Sequence, residues 1–327
     1  MNARTNKVTL NELITLKMAS LQLEGKWATS AHYQSVLHQV EKLYGIVPMK
    51  NVTAGLMGDF KNRLKQQGIC DSTISTYLSD IKAIWNYAAY KKYVSDNNYP
   101  FQRKSYEIDR VKIPKVAKRN DRWLEKSDIQ KLWEWWKQAP EDKGWKRRRK
   151  VYVGLWLASY LGGGANLADV LQWKFNSDYF KSGGKVITFT RTKTKGRSDT
   201  VVHIPVTPQL KMIIDDMGEE PQLDGLIFPE LLCGMRPEDG EKYRFRILTI
   251  GSECRKRMME VVEQLGIKEV ISPTWARHSF ATIMNRIGCP FALVEQMMGH
   301  TLPGVSGHYI AVTPVEELER WCCMLLD

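Results

Sequence analysis

Through the first 96 residues, apolar side chains recur at three- and four-residue spacing, and glycines cut the pattern into short rods. Leu10, Leu13, Ile14, Leu16, Met18 and Leu21 share one helical face, which Gly25 ends. Val36, Val40 and Leu43 mark a second helix, capped by Thr29 or Ser30 and stopped by Gly45. Thr53 caps a third that runs to Gly68. Ser72-Thr73 opens the longest, with Ile74, Tyr77, Leu78, Ile81, Ile84, Trp85 and Ala88 on one side. Rods this short are marginal alone, so residues 8–96 are expected to pack as a small helical bundle behind a polar tail, 1–7.

At Asn97 the period dissolves into Pro100, Pro114 and the cations Arg103, Lys104, Arg110, Lys112, Lys115, Lys118 and Arg119. Residues 97–122 therefore read as an extended basic linker. A second domain, 123–312, opens with helices over 124–137 and 151–161, the latter entered through Lys146, Arg147, Arg148, Arg149 and Lys150. Residues 185–206 break the helical period: two β-rich runs flank Lys195-Gly196-Arg197-Ser198, the pattern of a hairpin. Thr207-Pro208 caps another helix, and helices resume at Gly251. The expected fold is mainly α with a small antiparallel β-sheet. In the tail, 313–327, Thr313-Pro314-Val315-Glu316 has the spacing of a capping box, and Val315, Leu318, Cys322 and Leu325 form an apolar stripe.

With 43% hydrophobic residues among 327 the chain can bury a core, so wholesale disorder is excluded. The longest apolar stretch, 151–165, is broken by Gly154 and Gly162-Gly163-Gly164, which argues against a membrane span. No Gly-Lys-Ser/Thr follows those glycines, so they do not read as a nucleotide loop. Six scattered cysteines without Cys-x-x-Cys pairs fit a reduced cytoplasmic protein with no metal centre. The net charge is +12, and residues 101–150 hold 17 Lys and Arg against 8 Asp and Glu. Such a belt suits a polyanion, most simply nucleic acid, although a merely basic soluble protein has the same composition.

Chemistry concentrates near the C-terminus. Arg277, His300 and Tyr309 are the residue types that phosphoryl transfer through a covalent intermediate requires. A phenol attacks phosphorus, a guanidinium neutralises non-bridging oxygens, and an imidazole donates to the phosphate or carries a proton. Spacing alone leaves a buried hydrogen-bond cluster as an equal reading.

The same stretch resembles the signature of the tyrosine recombinase (phage integrase) family. Its His-x-x-Arg-His-x-Phe-Ala-Thr is matched by Arg277-His278-Ser279-Phe280-Ala281-Thr282, its Leu-Gly-His by Met298-Gly299-His300, and its tyrosine by Tyr309. The bundle resembles that family's core-binding domain, and Arg191-Thr192-Lys193-Thr194 its hairpin Arg-x-Lys-Thr. The resemblance implies a site-specific DNA recombinase that makes a 3′-phosphotyrosyl link without ATP, metal or other cofactor. It casts Tyr309 as nucleophile, Arg277 as charge clamp, His300 as phosphate donor and Lys193 as general acid. Phosphate contacts are expected from Lys146, Arg147, Arg148, Arg149, Lys195, Arg197, Lys115, Lys118 and Arg119.

Two positions depart from the signature. The first family histidine falls on Thr274, which can bond a phosphate oxygen but cannot act as a base near neutral pH. The first family arginine falls on Asn166, which with Asp169 reads equally as a helix N-cap and its first-turn acid. Arg197 is a candidate to replace the lost charge. The departures keep two alternatives open: a catalytically impaired DNA-binding protein on the same fold, and a type IB topoisomerase-like relaxing enzyme. The resemblance further implies a double-stranded DNA recombination site as partner, a tetramer on DNA whose tail stripe docks on the neighbouring protomer, and accessory DNA-bending proteins. No membrane partner is expected.

Overall fold

The computed structural model describes residues 8–115, 122–139, 145–192, 200–300 and 313–327; of Trp145 and Lys146 it describes the backbone alone. The chain divides into two compact units, 1–118 and 119–327.

In the first unit, α1 (Leu10–Leu23) starts with a closed capping box. Thr9 Oγ1 accepts from Glu12 N at 3.1 Å, and Glu12 Oε2 accepts from Thr9 N at 2.9 Å. α2 (Trp27–Tyr44) begins earlier than Thr29, with Lys26 as its N-cap. Ser30 is unavailable for capping because its buried hydroxyl donates to Met18 O and accepts from Gln22 Nε2, joining α2 to α1. α3 (Ala54–Gln66) is capped by Thr53 as expected, and α4 (Asp71–Tyr90) starts from Cys70, just ahead of the expected opening at Ser72-Thr73. Leu10, Ile14, Val36, Phe60, Leu64, Ile74, Leu78, Ile81 and Trp85 form the core, whereas Leu16 is exposed.

The segment expected to run free from Asn97 instead returns to this bundle. Tyr99, Phe101 and Val111 are buried in the same core, and Tyr99 meets Trp85 edge to face at 4.9 Å. Val111 and Pro100 share a backbone bond, and the Arg103 guanidinium lies 3.9 Å from the Tyr99 ring centroid. Aromatic burial outweighs the disorder that the prolines and cations suggest. Lys115 stands exposed at the end of this described stretch.

The second unit is built around α6 (Trp145–Leu161), which α5 (Lys126–Gln138) precedes. Residues Val153, Leu155, Trp156, Leu157 and Ala158 are all buried, so from Tyr152 onward α6 is buried on every side and lies at the centre of the core. Short helices α7 (Leu167–Val170) and α8 (Ser177–Lys181) lead to β1 (Val186–Thr190), which pairs antiparallel with β2 (Val201–Pro205) from Val186↔Pro205 to Thr190↔Val201. Thr207 caps α9 (Pro208–Met217) by accepting from Leu210 N. α10 (Glu241–Gln264) starts ten residues before Gly251, where the sequence suggests that helices resume. Gly251 sits inside it, facing Leu167 of α7. α11 (Pro273–Arg286), α12 (Phe291–Met297) and α13 (Val315–Cys323) complete the unit.

The tail corrects two expectations. Its stripe does not await a neighbour: Leu318, Cys322 and Leu325 are buried in the core of their own unit. Tyr160 donates its hydroxyl hydrogen to Leu325 O at 3.1 Å, and Cys322 Sγ lies 3.6 Å from Met297 Sδ. Nor does Thr313 cap α13. Gln296 holds it by accepting from Thr313 N and donating to Thr313 O, leaving Pro314 as the N-cap.

Candidate active site

Three chain segments far apart in sequence meet at one guanidinium. Gly163 and Gly164 take φ of +69° and +64°, values that favour glycine, and turn the chain sharply after α6. Gly164 O then points to α11, where it accepts from Arg277 Nη1 at 2.8 Å. A Cβ on Gly164 would fall 3.2 Å from Arg277 Cα, a tight contact that adds to the strain of its positive φ and favours glycine here. Arg277 Nη2 donates to Met298 O at 2.9 Å and to His300 Nε2 at 2.8 Å, beyond the end of α12. His300 Nδ1 lies 3.0 Å from Glu295 Oε2. A guanidinium can only donate, so Nε2 accepts and Nδ1 carries the proton that Glu295 receives.

The hairpin reaches the same place. Thr192 N donates to Asp169 Oδ1 at 2.8 Å, tying the end of β1 to the buried acid of α7. Arg191 is 6% exposed and donates through Nη1 to Gly299 O at 3.0 Å. Gly299 has φ of +64°, and a Cβ there would lie 2.5 Å from Arg191 Cδ. Arg191 and Arg277 thus bond the consecutive carbonyls of Gly299 and Met298. Burial, reinforced by the Arg191 cation, pushes the Arg277 pKa down to about 10, against the opposing pull of Asp169 and Glu295. Arg277 therefore stays charged at neutral pH. Both guanidiniums face neutral carbonyls, a setting that attracts an anion with several oxygens.

Asn166 stands at the N-cap of α7 by position, with its carbonyl accepting from Asp169 N and Val170 N, yet its side chain makes no capping bond. Thr274 is exposed one turn before Arg277 on α11, with its hydroxyl 2.9 Å from that of Ser272. Among the basic expectations, Arg147 is committed to an ion pair. Its Nη1 meets Asp216 Oδ2 at 3.1 Å and its Nη2 donates to Asp216 O. Arg148 is exposed and Arg149 half-buried. Tyr309, Lys193, Lys195, Arg197, Lys118 and Arg119 lie outside the described residues, as does the side chain of Lys146. The sequence marks Arg191 only as part of the hairpin motif, without a role, and gives no sign of Glu295. The first stands in plain view two residues before Lys193; the second carries no motif at all.

Residues 9–108 match the Phage integrase SAM-like domain family, and residues 165–316 match the Phage integrase family. The chain belongs to the tyrosine recombinases. Among curated relatives it resembles the tyrosine recombinase of Thermosipho africanus, 23% identical over 286 residues, covering 86% of this chain and 87% of the relative. The tyrosine recombinase XerA of Pyrococcus furiosus is 25% identical over 215 residues, 66% of each chain. The fold is also that of the Tn1549 transposon integrase in complex with a circular intermediate DNA, with a TM-score of 0.59 at 16% identity over 96% of this chain and 99% of that one. A lambda integrase tetramer bound to a Holliday junction gives a TM-score of 0.59 at 12% identity, over 92% and 80% of the chains.

Proposed function

We propose that this protein is a site-specific DNA recombinase in which Tyr309 attacks a phosphodiester. The Tyr309 Oη–phosphorus bond forms, the bond from phosphorus to the 5′-oxygen breaks, the phenol passes its proton to the His300 imidazole, and Lys193 protonates the departing 5′-oxygen. Arg277 neutralises charge on the non-bridging oxygens, and His300, its imidazole oriented by Glu295, hydrogen-bonds the phosphate. A 5′-hydroxyl from a partner strand reverses the step. One phosphate ester is exchanged for another at each stage, so strand exchange proceeds without ATP.

The observation that supports this reading is Arg277, whose three hydrogen bonds bring Gly164, Met298 and His300 around one cation. A cluster needed only for packing gains little from a half-buried, cation-flanked guanidinium. In this reading four protomers join two DNA duplexes in the cytoplasm, assisted by DNA-bending proteins, and the exposed Arg148 and Lys115 contact phosphates. The experiment is covalent trapping on nicked duplexes from the DNA flanking the gene. Wild type should give a denaturation-resistant protein–DNA band and Arg277→Ala should not; a wild type that binds these duplexes yet forms no band would defeat the reading.

A further inference from the structure

Arg191 is a buried cation that the mechanism above leaves unused. It is 6% exposed, its one hydrogen bond among the described residues runs from Nη1 to Gly299 O, and its Nε is buried with no partner there. Burying a charge is expensive, and a carbonyl dipole repays only part of that cost. Nor is the cation there for want of a smaller residue: the missing side chain of Gly299 makes its room. Arg277 stands beside it, bonded to the preceding carbonyl, so two like charges are held together, with Asp169 and Glu295 as the nearby counter-charges.

Asn166, meanwhile, brings no charge where the family signature has an arginine. Attack on a phosphodiester develops negative charge on two non-bridging oxygens, and a second guanidinium adds to the stabilisation that the first supplies. Resting on the recombinase reading, we propose that Arg191 is a catalytic residue of this enzyme: the second guanidinium on the scissile phosphate, delivered from the end of β1 in place of the residue missing at Asn166. The hairpin would then supply both the cation at 191 and the general acid at 193, while Asp169 fixes the intervening Thr192 through its backbone N–H.

The rival account makes Arg191 a strut between β1 and the Gly299 turn. Arg191→Gln separates the two, because it keeps an amide donor and removes the charge. Adduct formation is measured on nicked duplexes from the DNA flanking the gene, made either with a normal scissile phosphate or with a methylphosphonate, whose methyl group replaces one charged oxygen. The proposal predicts that Arg191→Gln loses about 10²–10³-fold on the phosphate but comes within a few-fold of wild type on the methylphosphonate. An undiminished rate on phosphate, or an equal loss on both duplexes, overturns it. If the glutamine variant does not melt as a folded protein, Arg191→Lys takes its place. It keeps the charge without the fork, and its ratio of phosphate to methylphosphonate rate must fall below that of wild type; an unchanged ratio overturns the proposal. A wild type that forms no adduct on either duplex defeats the recombinase reading itself, and this inference with it.

Discussion

Arg277 Nη2 lies 2.8 Å from His300 Nε2, so the arginine sets the tautomer of the histidine. The imidazole is neutral in this arrangement, with its proton on Nδ1 and directed at Glu295. A phosphate oxygen that competes for Arg277 frees Nε2, and an Nε2 that then takes up a proton becomes a donor to the same phosphate. In the proposed reaction the pair is an acceptor–donor exchange centred on one guanidinium.

Glu295 is therefore expected to matter although it touches no substrate. Glu295→Gln replaces a charge-assisted acceptor by a neutral amide. Covalent adduct formation should fall roughly tenfold or more, the equivalent of about 1.5–3 kcal/mol for a hydrogen bond to a charged group. Imidazole nitrogen NMR shifts should move as the His300 Nδ1–H loses its charged acceptor, with the tautomer set by Arg277 retained. Unchanged shifts and rate would remove Glu295 from the account.

Gly299→Ala tests the packing beneath the site. With φ of +64° and Arg191 Cδ 2.5 Å from where the added methyl would sit, the alanine has neither a favourable backbone nor space. Denaturant unfolding should show a loss of about 1–3 kcal/mol, the usual cost of overpacking. A cost near zero would mean that Arg191 can move aside freely.

Much of this is legible in the sequence, and the failures share a cause. α1, α3 and the hairpin follow from spacing and caps because those signals are local. Ser30 looks like a cap, yet its hydroxyl is spent on α1, across the bundle. Tyr99 and Phe101 look like linker because their partner Trp85 belongs to a helix that has already ended. The tail stripe points to a neighbour because nothing in it names Tyr160 or Met297 as its cover. At the site, Arg277 and His300 are readable as motif residues. Arg191 and Glu295 gain their meaning only from atoms more than a motif away, or across a turn that carries no signature.

Arg147 has the look of a phosphate contact, but Asp216 occupies it together with Lys150, whose Nζ is 2.9 Å from Asp216 Oδ1 and whose side chain is 5% exposed. Asp216→Ala strands that buried ammonium over Trp136. The expected loss is about 3–5 kcal/mol of stability, the cost of breaking one side of a buried pair. A rise in DNA affinity without loss of stability would instead return the freed Arg147 to the DNA surface.

The bundle has its own titrating group. Burial pushes the Asp80 carboxyl up to about 6, only partly offset by His32, and its Oδ2 is buried without a partner among the described residues. A carboxyl raised in the folded state favours the protonated form, so its contribution is present below the unfolded value near 4 and is lost as pH climbs through about 6. Melting temperatures across that window should fall with rising pH more steeply for wild type than for Asp80→Asn. Parallel curves would show that Asp80 does not titrate there.

In the proposed reaction one phenol carries the DNA. Tyr309 is the sole tyrosine in the tryptic peptide 287–320, so the covalent complex can be digested with nuclease and trypsin and the linked nucleotide located by mass spectrometry. The account predicts a 3′-nucleotide on Tyr309 and no adduct from Tyr309→Phe. A nucleotide on any other residue, or an adduct that survives the phenylalanine substitution, would contradict it.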